Sequence, residues 1–230
     1  DFINASSDTE VIFTRGTTHA INTVAKGFVE KNIKAGQDII ITEMEHHANI
    51  VPWQEVCKST GANLIVIPVD DSGELIVSEL EAKLSENTFF VSIIHISNVL
   101  GTVNDVKSIC EKAKQVNAYT LVDGAQSIAH QAIDVQDLGC DFFCFSGHKM
   151  YGPTGIGVLY INKAHHDNMH PFEFGGDMIE YVSFEKTSYA KAPLKFEAGT
   201  PPIAETIGLG AALSFLQEVG FDVIQQNESE

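Results

Sequence analysis

Seven short runs rich in apolar, β-branched and aromatic residues recur along this chain and constrain its fold more than any other feature. They are EVIFT (10–14), DIIIT (38–42), NLIVIPV (63–69), FFVSIIHI (89–96), AYTLVD (118–123), DFFCFS (141–146) and GIGVLYI (155–161). Several are apolar on both faces, the pattern of strands covered by helices on each side. Helix-spaced segments lie between most of them. Ala20, Ile21, Val24, Ala25 and Phe28 keep helical spacing behind Thr17 and Thr18, and Val106, Ile109, Cys110, Ala113 and Val116 do the same within VKSICEKAKQV. The alternation predicts an α/β fold, a seven-stranded, mostly parallel sheet with helices on both faces. Only the eight residues GHKMYGPT join the last two runs, too few for a crossover helix, so that pair is predicted antiparallel. Residues 162–200 carry no strand rhythm, and 203–219 read as one further helix.

Charge removes several function classes. Lys and Arg number 14 against 31 Asp and Glu, a net charge of −17, which repels phosphate backbones and anionic lipid headgroups. Neither nucleic acid nor a membrane is an expected partner. No apolar run approaches the roughly 18 residues that span a bilayer, and the opening DFINASSDTE lacks the basic and apolar regions of a secretory signal. The expected compartment is the cytoplasm. Cys57, Cys110, Cys140 and Cys144 show no CxxC spacing, so neither a disulfide framework nor a zinc ribbon is indicated. His165, His166 and His170 complete no recognisable metal site and read as a solvated helix face; no metal is expected. His47 and His95 read as structural. Arg15 is the single arginine, and so the one candidate for a bidentate clamp on a carboxylate.

Three places combine chemistry-bearing side chains with a strand end, where an open α/β sheet forms its ligand crevice. Lys149 follows DFFCFS in SGHK, an apolar approach that suits a Schiff-base lysine, although an isolated lysine in a turn is also an ordinary surface residue. Asp123 ends AYTLVD and is followed by Gly124, Ala125 and Gln126. A carboxylate there can keep a pyridine nitrogen protonated while an amide donates to a ring phenolate; a helix cap is the plainer role for such an Asp. Arg15-Gly16-Thr17-Thr18 runs from strand end to helix start, where free N–H groups and hydroxyls make a phosphate cradle or simply cap the helix.

The segments FFCFSGHKMYGPTGIG, LVDGAQ, RGTT, ITEMEHHANIVPW, HISNVLG and KFEAGTP occur in the order and approximate spacing of class V, fold-type I pyridoxal-phosphate enzymes. The chain most resembles the group II (Suf-type) cysteine desulfurases and their selenocysteine-lyase relatives, over nearly its whole length. The resemblance implies that Lys149 carries pyridoxal 5'-phosphate and that Asp123 is the pyridinium partner. Gln126 and Asn98 match residues on the phenolate side, and His46 an imidazole that stacks on the ring; by itself, His46 could equally cap the helix HANIVPWQEV, and Asn98 could serve a turn. Thr18, Ser146 and His148 match phosphate ligands. Thr200 resembles a threonine that reaches the phosphate of the neighbouring subunit, which implies a homodimer.

The implied reaction converts L-cysteine to L-alanine and passes the sulfur to an enzyme cysteine as a persulfide, for delivery to a Suf-type acceptor protein in iron-sulfur cluster assembly. The family's sulfur-accepting cysteine and substrate-carboxylate arginine have no match here. They are expected in a C-terminal small domain outside this sequence, as is an N-terminal segment preceding residue 1. Residues 1–220 are thus expected to form the cofactor-binding large domain, and 221–230 to begin the connection onward. Selenocysteine lyase or another class V enzyme is the nearest alternative, and a non-catalytic domain that binds a cofactor or partner is the alternative of a different kind.

Overall fold

The computed structural model describes residues 1–229. All seven runs become strands of one sheet: β1 (Val11–Thr14), β2 (Asp38–Thr42), β3 (Asn63–Ile67), β4 (Thr88–Ile94), β5 (Tyr119–Asp123), β6 (Phe142–Ser146) and β7 (Gly157–Ile161), in the order β1-β7-β6-β5-β4-β2-β3. β7 pairs antiparallel with both β6 and β1, and every other pairing is parallel, so β7 alone runs against its neighbours. The short link after β6 therefore has the consequence expected of it.

Helices α1 (Thr17–Val24) and α2 (Glu30–Asn32), joined by a π-helical turn, α3 (Val51–Thr60), α4 (Val77–Lys83), α5 (Val106–Gln115) and α6 (Val135–Leu138) lie between the strands. Their ends follow local chemistry. Pro52 opens α3 and Gly61, at φ 74°, closes it, while Asp105 accepts from Ser108 N–H at 3.1 Å to cap α5.

The period of two along each strand divides the core. Phe143 and Phe145 face a cluster with Val122, Ile109 and Ala113, whereas Phe142 and Cys144 face another with Ile21, Phe28 and Trp53. Every side chain of β6 is buried, which is why this strand reads as a continuous apolar run. Burying one such aromatic or aliphatic side chain contributes about 1.5–3 kcal/mol, so the two faces together anchor the strand whose end carries Lys149.

Two features depart from the sequence reading. Residues 162–200 contain a hairpin, β8 (Ile179–Val182) with β9 (Thr187–Tyr189), whose side chains are almost all exposed and so impose no apolar alternation on the sequence. His165 is not on a solvated face. It is half-buried, its Nε2 lies 2.6 Å from Asp141 Oδ1, and its ring packs on Phe28, Tyr119 and Phe142. The expected helix is α7 (Ile203–Val219), followed by α8 (Phe221–Ser229), which returns to the main body where Phe221 meets Phe2 with ring centroids 6.1 Å apart.

Candidate functional site

The carboxyl ends of β4, β5 and β6 meet at one edge of the sheet, with Ile94 beside Asp123 and Asp123 beside Cys144. β7 begins at the same edge, where Gly157 lies between Ser146 and Thr14. A Cβ on Gly157 would stand 2.5 Å from Gly16 Cα and 2.6 Å from the Phe145 carbonyl oxygen, so the absence of a side chain is what lets the Gly16 turn close over the end of β6.

That turn builds one end of the site. Gly16, at φ 134°, precedes α1 without offering a side-chain cap, and the cap comes from across the sheet instead. Ser146 Oγ accepts the Thr17 N–H at 2.8 Å and shares a hydrogen bond with Thr17 Oγ1, also at 2.8 Å. Three hydroxyls, from Thr17, Thr18 and Ser146, thus collect at the positive end of a helix.

A cavity of about 210 Å³ opens beside them. Eight of the nine site residues expected from the sequence line it: Lys149, Asp123, His46, Thr18, Asn98, Gln126, Ser146 and His148. The ninth, Thr200, lines a separate cavity of about 300 Å³ with Arg15, Glu173 and Glu197. Arg15 itself is taken up by a two-pronged ion pair with Glu173 at 2.7 and 3.0 Å and leaves no free clamp for a carboxylate.

Lys149 closes a tight turn after β6. The Gly147 carbonyl accepts N–H groups from both Met150 and Gly152, and Tyr151 adopts a left-handed φ of 64° before the chain reverses into β7. A non-glycine residue in that region costs about 1–2 kcal/mol, offset here by the paired strands on either side. The turn directs Lys149 into the same cavity as Asp123.

Asp123 is buried, and its Oδ1 accepts the Ala125 N–H at 2.9 Å; no protein donor reaches Oδ2 among the described residues. Burial pushes this carboxyl up to about 6, opposed by the Ala125 bond and by the nearby Lys149 charge. His46 Nδ1 accepts the Ala48 N–H at 3.1 Å, so the imidazole does cap its own helical turn, and in the neutral ring the proton sits on Nε2. Burial, with Lys149 and His47 adding, holds its pKa below the ordinary value for histidine. The side chains of Asn98 and Gln126 line the cavity without a protein hydrogen-bond partner among the described residues.

Sequence reasoning placed Thr17 in the phosphate cradle without its contact to Ser146, and missed Glu45, which is buried just behind His46. A single Glu in a polar stretch gives no comparable signal.

The aminotransferase class-V family matches residues 1–230. The chain belongs to that family. This class-V chain is 56% identical over 229 residues to a probable cysteine desulfurase of Halalkalibacterium halodurans, a match covering 100% of it and 56% of the relative. Its fold superposes on the Escherichia coli cysteine desulfurase CsdA with a TM-score of 0.94 at 40% identity, over 99% of this chain and 56% of that one. A C-DES variant with glycine covalently linked to its PLP cofactor is similar at TM-score 0.81 and 26% identity, covering 93% of this chain and 57% of C-DES. The class-V chain therefore spans a little over half the length of these relatives.

The residues present fit such a cofactor. Hydroxyls and a helix start suit a phosphate at one end, the open Oδ2 of Asp123 suits a protonated ring nitrogen at the floor, and two unpartnered amides stand between.

Proposed function

We propose that the protein containing this chain is a pyridoxal-phosphate-dependent cysteine desulfurase that converts L-cysteine to L-alanine and transfers the sulfur to a protein thiol. The observation that carries this is the convergence of Lys149, Asp123 and His46 on one cavity beside the Ser146–Thr17 cradle, joined to the desulfurase names of the relatives. When bound, pyridoxal phosphate supplies an electron sink for bond breaking at the substrate α-carbon. Ser146, Thr17 and Thr18 hold its phosphate. Asp123 Oδ2 retains a proton on the ring nitrogen, and at neutral pH a carboxyl titrating at about 6 is mainly ionised and able to do so. Lys149 Nζ holds the cofactor at rest and accepts the α-proton during turnover, while His46 Nε2 carries a proton at the open mouth of the cavity. A thiolate attacks the substrate sulfur; the C–S bond breaks with its electron pair left on carbon, the S–S bond of a persulfide forms, and a proton added at the β-carbon and one returned to the α-carbon complete L-alanine.

Neither the attacking thiolate nor the carboxylate-binding cation lines the cavity among residues 1–229, since none of the four cysteines is there and Arg15 is held by Glu173. The proposal places both groups in residues outside this sequence, and it includes a homodimer in which Thr200 serves the neighbouring cavity, a cytoplasmic setting and a Suf-type acceptor protein. Selenocysteine lyase would employ the same cofactor contacts. The test is incubation of the full-length protein, loaded with pyridoxal phosphate, with L-cysteine or L-selenocysteine. Stoichiometric alanine and protein persulfide from L-cysteine are expected; alanine from L-selenocysteine alone would replace the reading by the lyase.

A further inference from the structure

Below the cavity floor lies a buried polar cluster that the reaction above does not use. Glu45 Oε1 accepts the Thr42 hydroxyl at 2.6 Å and the Ile94 N–H at 2.9 Å, and Oε2 accepts Asn49 Nδ2–H at 2.6 Å. Asn49 is fixed from its other side, where Oδ1 accepts Trp53 Nε1–H at 2.9 Å and the Ser92 hydroxyl at 2.6 Å. An indole N–H only donates, so Asn49 cannot turn over, and its amide must face Glu45. Glu45, Thr42, Asn49, Ser92 and Trp53 are all buried. Through Glu45 the end of β2, the end of β4 and the turn that carries His46 are held as one unit.

We propose that Glu45 is a positioning residue of the cofactor site, which ties His46 to the sheet edge bearing Asp123 and sets, through its own proton, the charge that surrounds Asp123. This rests on the pyridoxal phosphate reading. The hydrogen bonds allow the proton one place. The Asn49 and Ile94 N–H groups can only donate, whereas the Thr42 hydroxyl can also accept, so a neutral Glu45 carries hydrogen on Oε1 and donates it to Thr42 Oγ1, whose hydroxyl reverses; no heavy atom need move. Burial drives the Glu45 carboxyl up to about 8, against its three hydrogen bonds, and the Asp123 charge adds to the rise. The other titratable groups around it are Cys144 on β6, kept protonated by burial with Asp123 and Glu45 contributing, His46 on its own segment, and Lys149 beyond Asp123. At neutral pH Glu45 is therefore mainly neutral, and Asp123 bears most of the negative charge at this edge of the sheet. As pH rises, Glu45 ionises and a second carboxylate appears there.

The test is a pH titration of the visible absorbance of the full-length protein loaded with pyridoxal phosphate, for wild type, Glu45→Gln, Thr42→Val and the double variant, with far-UV circular dichroism to check folding. In wild type the alkaline charge on Glu45 holds the chromophore's proton to higher pH. Glu45→Gln is expected to lower the midpoint by about 0.5–1 pH unit. Thr42→Val removes a bond from both forms of Glu45, and the one to the carboxylate, being charge-assisted, is the stronger; Glu45 then stays neutral over a wider range, so the variant is expected to lower the midpoint by less, and to add nothing in the Glu45→Gln background. Superimposable wild-type and Glu45→Gln curves overturn the proposal, as does a Thr42→Val shift that persists undiminished without Glu45. Should Glu45→Gln not fold, an unmoved midpoint in Thr42→Val overturns it equally. Absence of a visible band in wild type would instead overturn the cofactor reading itself.

Discussion

Ser146 Oγ stands 2.8 Å from both the backbone nitrogen and the Oγ1 of Thr17, a link between the end of β6 and the start of α1 across 129 residues of chain. One hydroxyl thereby caps a helix and places the phosphate-facing end of the site relative to Lys149, three residues further on. Ser146→Ala is expected to cost about 1 kcal/mol of stability, the usual loss of a helix cap. It should also weaken pyridoxal phosphate binding about tenfold, measured by cofactor fluorescence. Unchanged affinity would detach the cradle from the cofactor.

Asp123→Asn separates electronics from fold. The amide keeps the acceptor used by Ala125 N–H but loses the charge. Cofactor should remain bound, and turnover in the full-length protein should fall by on the order of several kcal/mol in barrier. Stability without cofactor should move the other way. The carboxyl titrates at about 6 in the folded chain against 3.8 ordinarily, so between these values the folded state holds a proton that the unfolded state has lost. Wild-type stability then falls as pH rises through this window, relative to Asp123→Asn, by on the order of 2–3 kcal/mol. Chemical denaturation at several pH values reads this directly; a constant gap between the two proteins would show that Asp123 is not strained by burial.

Two glycines should respond oppositely to alanine. At Gly157 the new Cβ meets backbone atoms of Gly16 and Phe145 at 2.5–2.6 Å, and rigid backbone cannot yield cheaply, so a loss of about 1–3 kcal/mol and weakened cofactor binding are expected. Gly210, within α7, has nothing within 4 Å of that position, and Gly210→Ala should stabilise by up to about 1 kcal/mol. Equal effects on melting temperature would contradict the close approach at Gly157.

The cysteines should be nearly silent. Cys110, Cys140 and Cys144 are buried, with burial raising Cys110 to about 12 and the other two well above the ordinary thiol value, while Cys57 is half-buried and its thiol is also raised. Native alkylation should label Cys57 slowly and the others only on unfolding. Labelled sulfur from L-cysteine appearing on any of the four, in a cofactor-dependent way, would mean that the catalytic thiol is misplaced.

The seven strands were legible because burial on both faces writes continuous apolar runs, as in β6, and the reversal of β7 was legible from a link too short to cross over. The β8–β9 hairpin was not, since its side chains face outward and nothing forces an apolar pattern on them. At the site, residues beside a strand end or in a recognisable segment were found. Glu45 was not, because a buried acid and a surface acid look alike until the strands that bury it are paired, and the aromatic packing of His165 depends on Phe28, Tyr119 and Phe142, far apart in sequence.

The most direct test of the site is covalent. Borohydride reduction of the full-length protein loaded with pyridoxal phosphate, followed by peptide mapping, should recover the cofactor on Lys149, which alone among the lysines lines the cavity with Asp123 and His46. Recovery on Lys163 or Lys191 instead would contradict the assignment.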